Sequence, residues 1–460
     1  MGRTLEISPN HAVVVGGSIA GLCAARVLSE HYEHVTLYER DELPEQPVNR
    51  SAIPQGQHVH LLMARGAEEL EGLFPGLLDD MASSGVPVVR NRHESIHFAA
   101  AGHVLETGLD DKYVAYVPSR GQLEWQIRRR VSALAGIEIS RRVVAQPQYD
   151  AAKERVTGVL LDDGDVVPAD LVVDASGRGS RLPAWLQQWG FDRPREDSIQ
   201  IGVTYASQRV TIPEELIAQK MVIVGATRSR PLGMGMLFHE DGIWTVTSFG
   251  VAKSEPPRDF AGVCALADEI LPAEISAALR AGTPVGAMNF HRYPTSKWRR
   301  YERIGRFPDG IVPFGDAVVS LNPTFGQGVT VTALQAAGLR TALARGTDDL
   351  TWRLAFNTAR TIYPVWLMNA AADHAEHGAH GGRVWWYRPV YELFKQFVAA
   401  AEKDPVLAEW FLRRTSLLES LYLVPPPRLI GRAVRNNIKQ WLAQRRRHDD
   451  EGREMATTAS

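Results

Sequence analysis

Cysteine is nearly missing from this chain. Cys23 and Cys264 are the two present in 460 residues. Two thiols cannot build a disulfide framework or a four-thiolate zinc site, and a reducing cytoplasm is the expected location. An excess of one charge is missing too, with 51 Lys and Arg against 53 Asp and Glu and a formal net charge of −2. No basic surplus points to nucleic acid. Met1 to Glu6 carries no apolar run before a cleavage site, so no signal peptide is expected. Glu6 stands where myristoylation needs Ser or Thr. Ala317 to Leu339 lacks formal charge but contains Asn322, Pro323, Gly326, Gln327 and Gly328. Lipid does not tolerate such broken polar backbone, so this segment reads as a loop entering a buried helix. No repeat with a period of about 20 to 50 residues is visible. What remains is 45% apolar and 23% charged, the composition of a globular chain of about three units.

The pattern along the chain is α/β. A buried strand, Ala12 to Val15, a glycine-rich turn, a helix from Ile19 to His31 and a strand from Val35 to Glu39 make a βαβ module. Residues 40–65 form a loop with Pro44, Pro47 and Pro54. Gln122 to Ala135 reads as an amphipathic helix bearing Leu123, Ile127, Val131 and Leu134. Val156 to Leu161 and Val166 to Val173 read as strands around an Asp163-Gly164 hairpin turn with positive φ at both positions. Residues 195–290 are β-rich, with strands expected at 199–206, 221–225, 233–239 and 244–250. A helix follows from Thr330 to Ala344, and the chain reads as helical from 351 onward.

Two motifs carry chemistry. Gly16-Gly17-Ser18-Ile19-Ala20-Gly21 matches the dinucleotide fingerprint except that Ser18 replaces the middle glycine. It follows a strand and opens a helix, whose N–H groups suit a pyrophosphate. Glu39 follows Gly21 by 18 residues, where a carboxylate accepts ribose hydroxyls. The second motif is Gly315-Asp316 ahead of Asn322-Pro323-Thr324-Phe325-Gly326-Gln327-Gly328. Its acid suits sugar-type hydroxyls, its glycines a flat ring, and the following helix N-terminus a developing negative charge.

With these motifs the chain resembles the flavoprotein monooxygenases of the single-component aromatic hydroxylase superfamily. It is most similar to the branch of polyether (polyketide) epoxidases. The likeness covers residues 11 to 345 and also rests on Arg50 to His60 and Ser119-Arg120. It implies a discontinuous Rossmann-like FAD domain over 1–90, 113–194 and 291–345. It implies an inserted antiparallel β substrate domain over 91–112 and 195–290, a helical C-terminal region over 346–447 and a disordered tail over 448–460. FAD would be held by Gly16, Gly17, Ser18, Ala20 and Gly21, with Glu39 and Arg40 at the adenosine ribose. Arg50 and Arg120 would face the pyrophosphate and Val144 the adenine. Asp316 would bind the ribityl chain, and Pro323, Gly326, Gln327, Gly328 and Val329 would line the isoalloxazine. The superfamily's usual Ala-Asp-Gly run is replaced by Asp174-Ala175-Ser176-Gly177-Arg178-Gly179-Ser180, close to the epoxidase version. No two of the 11 tryptophans are spaced i, i+2, so the Trp-x-Trp-x-Ile-Pro segment of tryptophan halogenases is absent. The Tyr-x-Trp-x-Phe-Pro motif of geranylgeranyl reductases is absent as well.

The implied reaction inserts one oxygen atom from O2, by epoxidation or hydroxylation, into an apolar natural-product-like molecule through a flavin hydroperoxide. NADPH or NADH would supply electrons, directly or through a flavin reductase. An oxidase or dehydrogenase acting without oxygen insertion is the alternative, and a flavin-binding scaffold without catalysis a third reading. Flavin chemistry requires no catalytic side chain, but a phenol would want a base, for which His58 and His60 are the candidates. Met234, Met236, Phe238 and Trp244 are candidates for the substrate pocket, which Trp385, Trp386, Tyr387 and Tyr391 could cap. His374, His377 and His380 are three apart, but no zincin pattern accompanies them and no metal is expected. Residues 428–447 carry seven basic residues and no acid beside an apolar helical face. Such a helix packs on the body, meets a carrier protein or touches a membrane peripherally.

Overall fold

The computed structural model describes residues 10–50, 53–90, 92–105, 114–382, 385–419 and 425–458. Ser51 and Ala52, within the Arg50–His60 segment, and 106–113, at the edge of the expected substrate domain, lie outside the described residues.

The chain opens on β1 (His11–Val15), α1 (Ile19–Leu28) and β2 (His34–Glu39). These belong to a five-stranded parallel sheet in the order 311–313, 171–174, β1, β2, 137–141. Ala12 to Val15 of β1 are apolar because both faces are covered. Ala12 and Val14 pack toward α1, while Val13 packs with Val156, Val159 and Val167 of a three-stranded meander on the other side. α2 (Arg120–Ser132) is capped by the Ser119 hydroxyl, which accepts from Gln122 N–H at 3.1 Å. The expected single strand 166–173 is two strands. Val166–Pro168 closes the meander and Leu171–Asp174 enters the parallel sheet. Pro168 has no N–H to continue the ladder. The hairpin loop spans four residues, 162–165, and Gly164 alone takes positive φ.

The second sheet has eight strands and is mostly antiparallel. It is built around β3 (Glu196–Thr211), β4 (Leu232–Phe238), β5 (Trp244–Gly250) and β6 (Thr283–Arg299), with β3 paired to both β5 and β6. β6 crosses the expected boundary at 290/291, so the sheet reaches Arg299. Helices 260–270 and 273–281 cover one face of this sheet, inside a region that reads from sequence as β-rich.

Beyond α3 (Gly328–Leu343) the chain is helical: α4 (Leu350–Glu376), α5 (Tyr387–Ala401), 405–415 and α6 (Pro427–Thr458). The expected disordered tail, 448–460, is instead a continuation of α6 as far as Thr458. No helix among the described residues is long and apolar enough to cross a membrane. Just past α4, the backbone of His380 pairs with that of Gln200 at 3.0 and 2.8 Å, pinning the helical region to β3.

Candidate functional site

One cavity of about 1260 Å³ runs between the parallel sheet, the antiparallel sheet and the C-terminal helices. Its first end is the β1–α1 turn. Gly16 has φ +106°, and a Cβ there would lie 2.6 Å from the Ala175 carbonyl oxygen. A Cβ on Gly21 would lie 1.8 Å from the Gly16 carbonyl oxygen. Gly21 therefore underlies the turn rather than lining the cavity. Ser18 caps α1 without a side-chain bond to it, so the first N–H groups of the helix have no side-chain cap.

Glu39 ends β2 beside this turn. It accepts from Gly17 N–H at 2.7 Å and from Asp41 N–H at 3.1 Å. Burial works against its ionisation, but those two N–H groups and Arg50 hold its carboxyl below the usual range. Arg50 is a buried ion-pair member, and Arg120 is a partly buried one. Arg50 Nε donates to Glu124 Oε1 at 2.8 Å, and Arg120 Nη2 donates to Glu124 Oε2 at 3.1 Å. Arg120 Nη2 also donates to Ser18 Oγ at 2.8 Å. Glu124, one turn along α2 from Arg120, escapes sequence reasoning because it resembles any surface i,i+4 partner. Arg50 Nη1 pairs with Glu39 Oε2 at 3.2 Å, while Arg120 Nε is buried without a hydrogen-bond partner. Arg40 is exposed, and both it and Val144 line the cavity.

The middle of the cavity carries the second motif. Asp316, Pro323, Gly326, Gln327, Gly328 and Val329 all line it. Gly326 has φ +67° and packs so closely on Leu61 that a Cβ would lie 2.8 Å from it. Gly328, which opens α3, has nothing within 4 Å of where a Cβ would stand. Burial pushes the Asp316 carboxyl up, against the pull of Arg178, Arg120 and Arg299.

The far end is walled by the antiparallel sheet, but by the face opposite to the expected one. Met236, Phe238 and Trp244 do not line the cavity. They pack against helices 260–270 and 273–281, with Phe238 and Trp244 rings 5.5 Å apart. Met234 borders the cavity while belonging to the same cluster. The cavity face carries Gly235 from β4, Thr247 and Phe249 from β5, Tyr205 from β3, and His291 and Tyr293 from β6. A pleated strand sends alternate residues to opposite faces, and the bulky apolar set went to the core.

His58 and His60 both line the cavity. His58 Nδ1 lies 2.7 Å from Ser207 Oγ, which lies 2.6 Å from Thr247 Oγ1. Burial, then the neighbouring His291, bring its pKa down to about 4. His60 Nε2 accepts from Arg120 Nη1 at 3.2 Å; burial, Arg120 and His239 bring it down to about 3. Bases that weak are poorly matched to neutral pH.

The three later histidines go to separate partners. His374 Nδ1 donates to Ala379 O at 3.0 Å, and His380 makes the backbone pair to β3. His377 Nδ1 donates to Asp373 Oδ1 at 2.9 Å, and Asn322 Nδ2 donates to the same oxygen at 2.7 Å. Asp373 is 0% exposed, and its Oδ2 has no hydrogen-bond partner. His377 lines the cavity beside Phe325, with ring centroids 6.2 Å apart. His377 showed in the sequence only as one of three spaced histidines, because its partner Asp373, four residues before it, is fixed in turn by Asn322, 51 residues before Asp373. Trp386 and Tyr391 line the cavity as caps, Tyr387 is buried in the core, and Trp385 is exposed.

Comparison with known proteins places this arrangement. Residues 381–447 match the family described as the Mycobacterium Rv3254 C-terminal domain, and residues 79–193 match the tryptophan halogenase family. Protein Rv3254 of Mycobacterium tuberculosis is 54% identical over 465 residues, covering 98% of this chain and 97% of the relative. Kynurenine 3-monooxygenase of Salinispora arenicola is 26% identical over 378 residues, covering 76% and 75%. The structure of the flavin-dependent brominase Bmp2 superposes with a TM-score of 0.62 at 16% identity, covering 94% of this chain and 100% of that one, a likeness of fold. The chain belongs to the family of Protein Rv3254, within the superfamily of flavin-dependent monooxygenases and halogenases.

Proposed function

We propose that this FAD-dependent oxidoreductase is a monooxygenase that transfers one oxygen atom from O2 to an apolar small molecule, by epoxidation or hydroxylation, with NADPH or NADH as electron donor. The observation that carries the reading is the single cavity. At about 1260 Å³ it exceeds the range of roughly 300–1,000 Å³ usual for one ligand, and it joins a glycine cradle to an apolar chamber. Three features support FAD: the Gly16–Gly21 turn and the unpartnered Nε of Arg120 at the cradle end, and the open space at Gly328 further along the cavity. When bound, reduced FAD supplies the electrons that activate O2.

The chain's own residues bind and orient. Glu39 accepts ribose hydroxyls, Arg50 and Arg120 turn to phosphate oxygens, and Asp316 accepts from the ribityl hydroxyls. Gly235, Thr247, Phe249, Tyr205 and Tyr293 hold the substrate and exclude water. For a substrate with an acidic hydroxyl, His377 replaces His58 and His60 as the proton acceptor. Its Nδ1 is held by Asp373, which leaves Nε2 as the accepting atom. The Ser176–Ser180 run and its likeness to polyether epoxidases support epoxidation for a substrate without such a hydroxyl.

The test begins with the visible spectrum before and after anaerobic NADPH or NADH. Flavin bands that bleach, followed by incorporation of labelled oxygen from O2 into product, are expected. Product formed without label returns the protein to the oxidase reading. A colourless protein that takes up no FAD removes the proposal altogether.

A further inference from the structure

α6 leaves much of its apolar surface in solvent. Leu429 and Ala433 pack into the C-terminal cluster, and Arg432 and Asn436 donate to Asp404. Asn437 donates to the Gln396 carbonyl at 2.9 Å. These contacts occupy the side turned to α5. Ile430, Val434, Ile438, Trp441 and Leu442 face elsewhere, each between 43% and 53% exposed. At about 100° per residue they fill one sector of about 120°, and Arg428, Arg435 and Lys439 occupy the sector beside it. The Arg445 guanidinium stacks on Trp441, 4.6 Å from the ring centroid. No acid occurs from 428 to 447, and acids begin at Asp449.

The position of α5 gives this face a direction. The contacts Asp404–Arg432 and Gln396–Asn437 make α5 and α6 antiparallel. Leu393, one turn before Gln396, is therefore level with Trp441, and it is 73% exposed. Tyr391 and Phe394 of α5 line the cavity, and Val390 both lines it and is 49% exposed. The apolar surface thus runs from the cavity rim onto α6.

We propose that α6 and the outer edge of α5 dock on a membrane surface of anionic lipid. The apolar sector enters the acyl boundary, and Arg428, Arg435 and Lys439 lie at the headgroups. Charge selects this occupant. A second copy on the same face would set two purely basic sectors against each other with no acid between them. That an apolar substrate enters the cavity from the lipid rests on the proposed function; the docking does not.

Sedimentation of the 460-residue protein with vesicles tests it without turnover. Binding is expected to vesicles containing phosphatidylglycerol and not to pure phosphatidylcholine, and it weakens with salt. Arg435→Gln with Lys439→Gln weakens it at least about tenfold. Ile438→Glu with Trp441→Glu abolishes it, with circular dichroism and melting temperature unchanged because both side chains are exposed. Failure to bind phosphatidylglycerol vesicles overturns the proposal. A dimer in analytical ultracentrifugation that Ile438→Glu with Trp441→Glu dissociates assigns the face to a second copy instead.

Discussion

A methyl group on Gly21 would stand 1.8 Å from a backbone oxygen, and one on Gly328 would stand in open space. The same substitution therefore has opposite consequences at the two residues. Gly21→Ala forces the β1–α1 turn apart, at a cost of at least about 1–3 kcal/mol. A lowered melting temperature and loss of flavin absorbance per protein are expected. Gly328→Ala keeps or slightly raises the melting temperature, since alanine favours the helix. Its methyl enters the cavity, so flavin retention falls while stability does not. His58 and His60 give a pH signature. Their folded pKa values, about 4 and about 3, lie below the ordinary 6.5, so the unfolded chain takes up protons first on acidification. Their contribution is complete above about pH 6.5 and is lost as pH falls toward those folded values. Between pH 7 and pH 5 each removes about 2 kcal/mol. Urea unfolding at both pH values is expected to show the loss, and His58→Gln to remove about half of it.

At the scale of elements, the β4–β5 hairpin shows how alternation can be read correctly and assigned to the wrong face. The strands themselves fall within a residue of expectation. The bulky residues Met236, Phe238 and Trp244 sit in the core, and the cavity face carries Gly235 and Thr247. On Gly233 a Cβ would lie 2.3 Å from the tip of the Phe249 ring, a side chain that can move, and 2.7 Å from the Val224 carbonyl oxygen, which moves only with its strand. Gly233→Ala is expected to push that ring into the chamber and to lower the melting temperature by straining the pairing of β4 with the strand 221–224. Flavin content stays constant while affinity for substrate-sized ligands changes, read by the perturbation of the flavin spectrum. The α4 terminus makes a second case. Asp373 accepts from two side chains while fully buried. Asp373→Ala strands both donors and costs about 1–3 kcal/mol in denaturant unfolding.

For the whole molecule, the two thiols report on the layers. Cys23 is fully buried on the inner face of α1, with burial pushing its thiol up to about 12, and Cys264 is buried behind the antiparallel sheet. Neither is expected to react with a thiol reagent in the native protein, and both react in urea. Fast labelling of Cys23 in the native state would mean that α1 opens away from the parallel sheet. Sequence alone determined the βαβ module, the fingerprint, Glu39, the Asp316 loop and the helix beyond it. Each of these rests on a local requirement, such as a positive φ, a close backbone approach or an apolar period, that a few adjacent residues must satisfy by themselves. Tertiary structure alone decided which face of the antiparallel sheet is empty and that Glu124 joins Arg50 to Arg120. It alone set His377 on Asp373 and left the apolar sector of α6 uncovered. Those outcomes depend on what packs against what across long stretches of chain, and no short pattern encodes which surfaces packing will leave open.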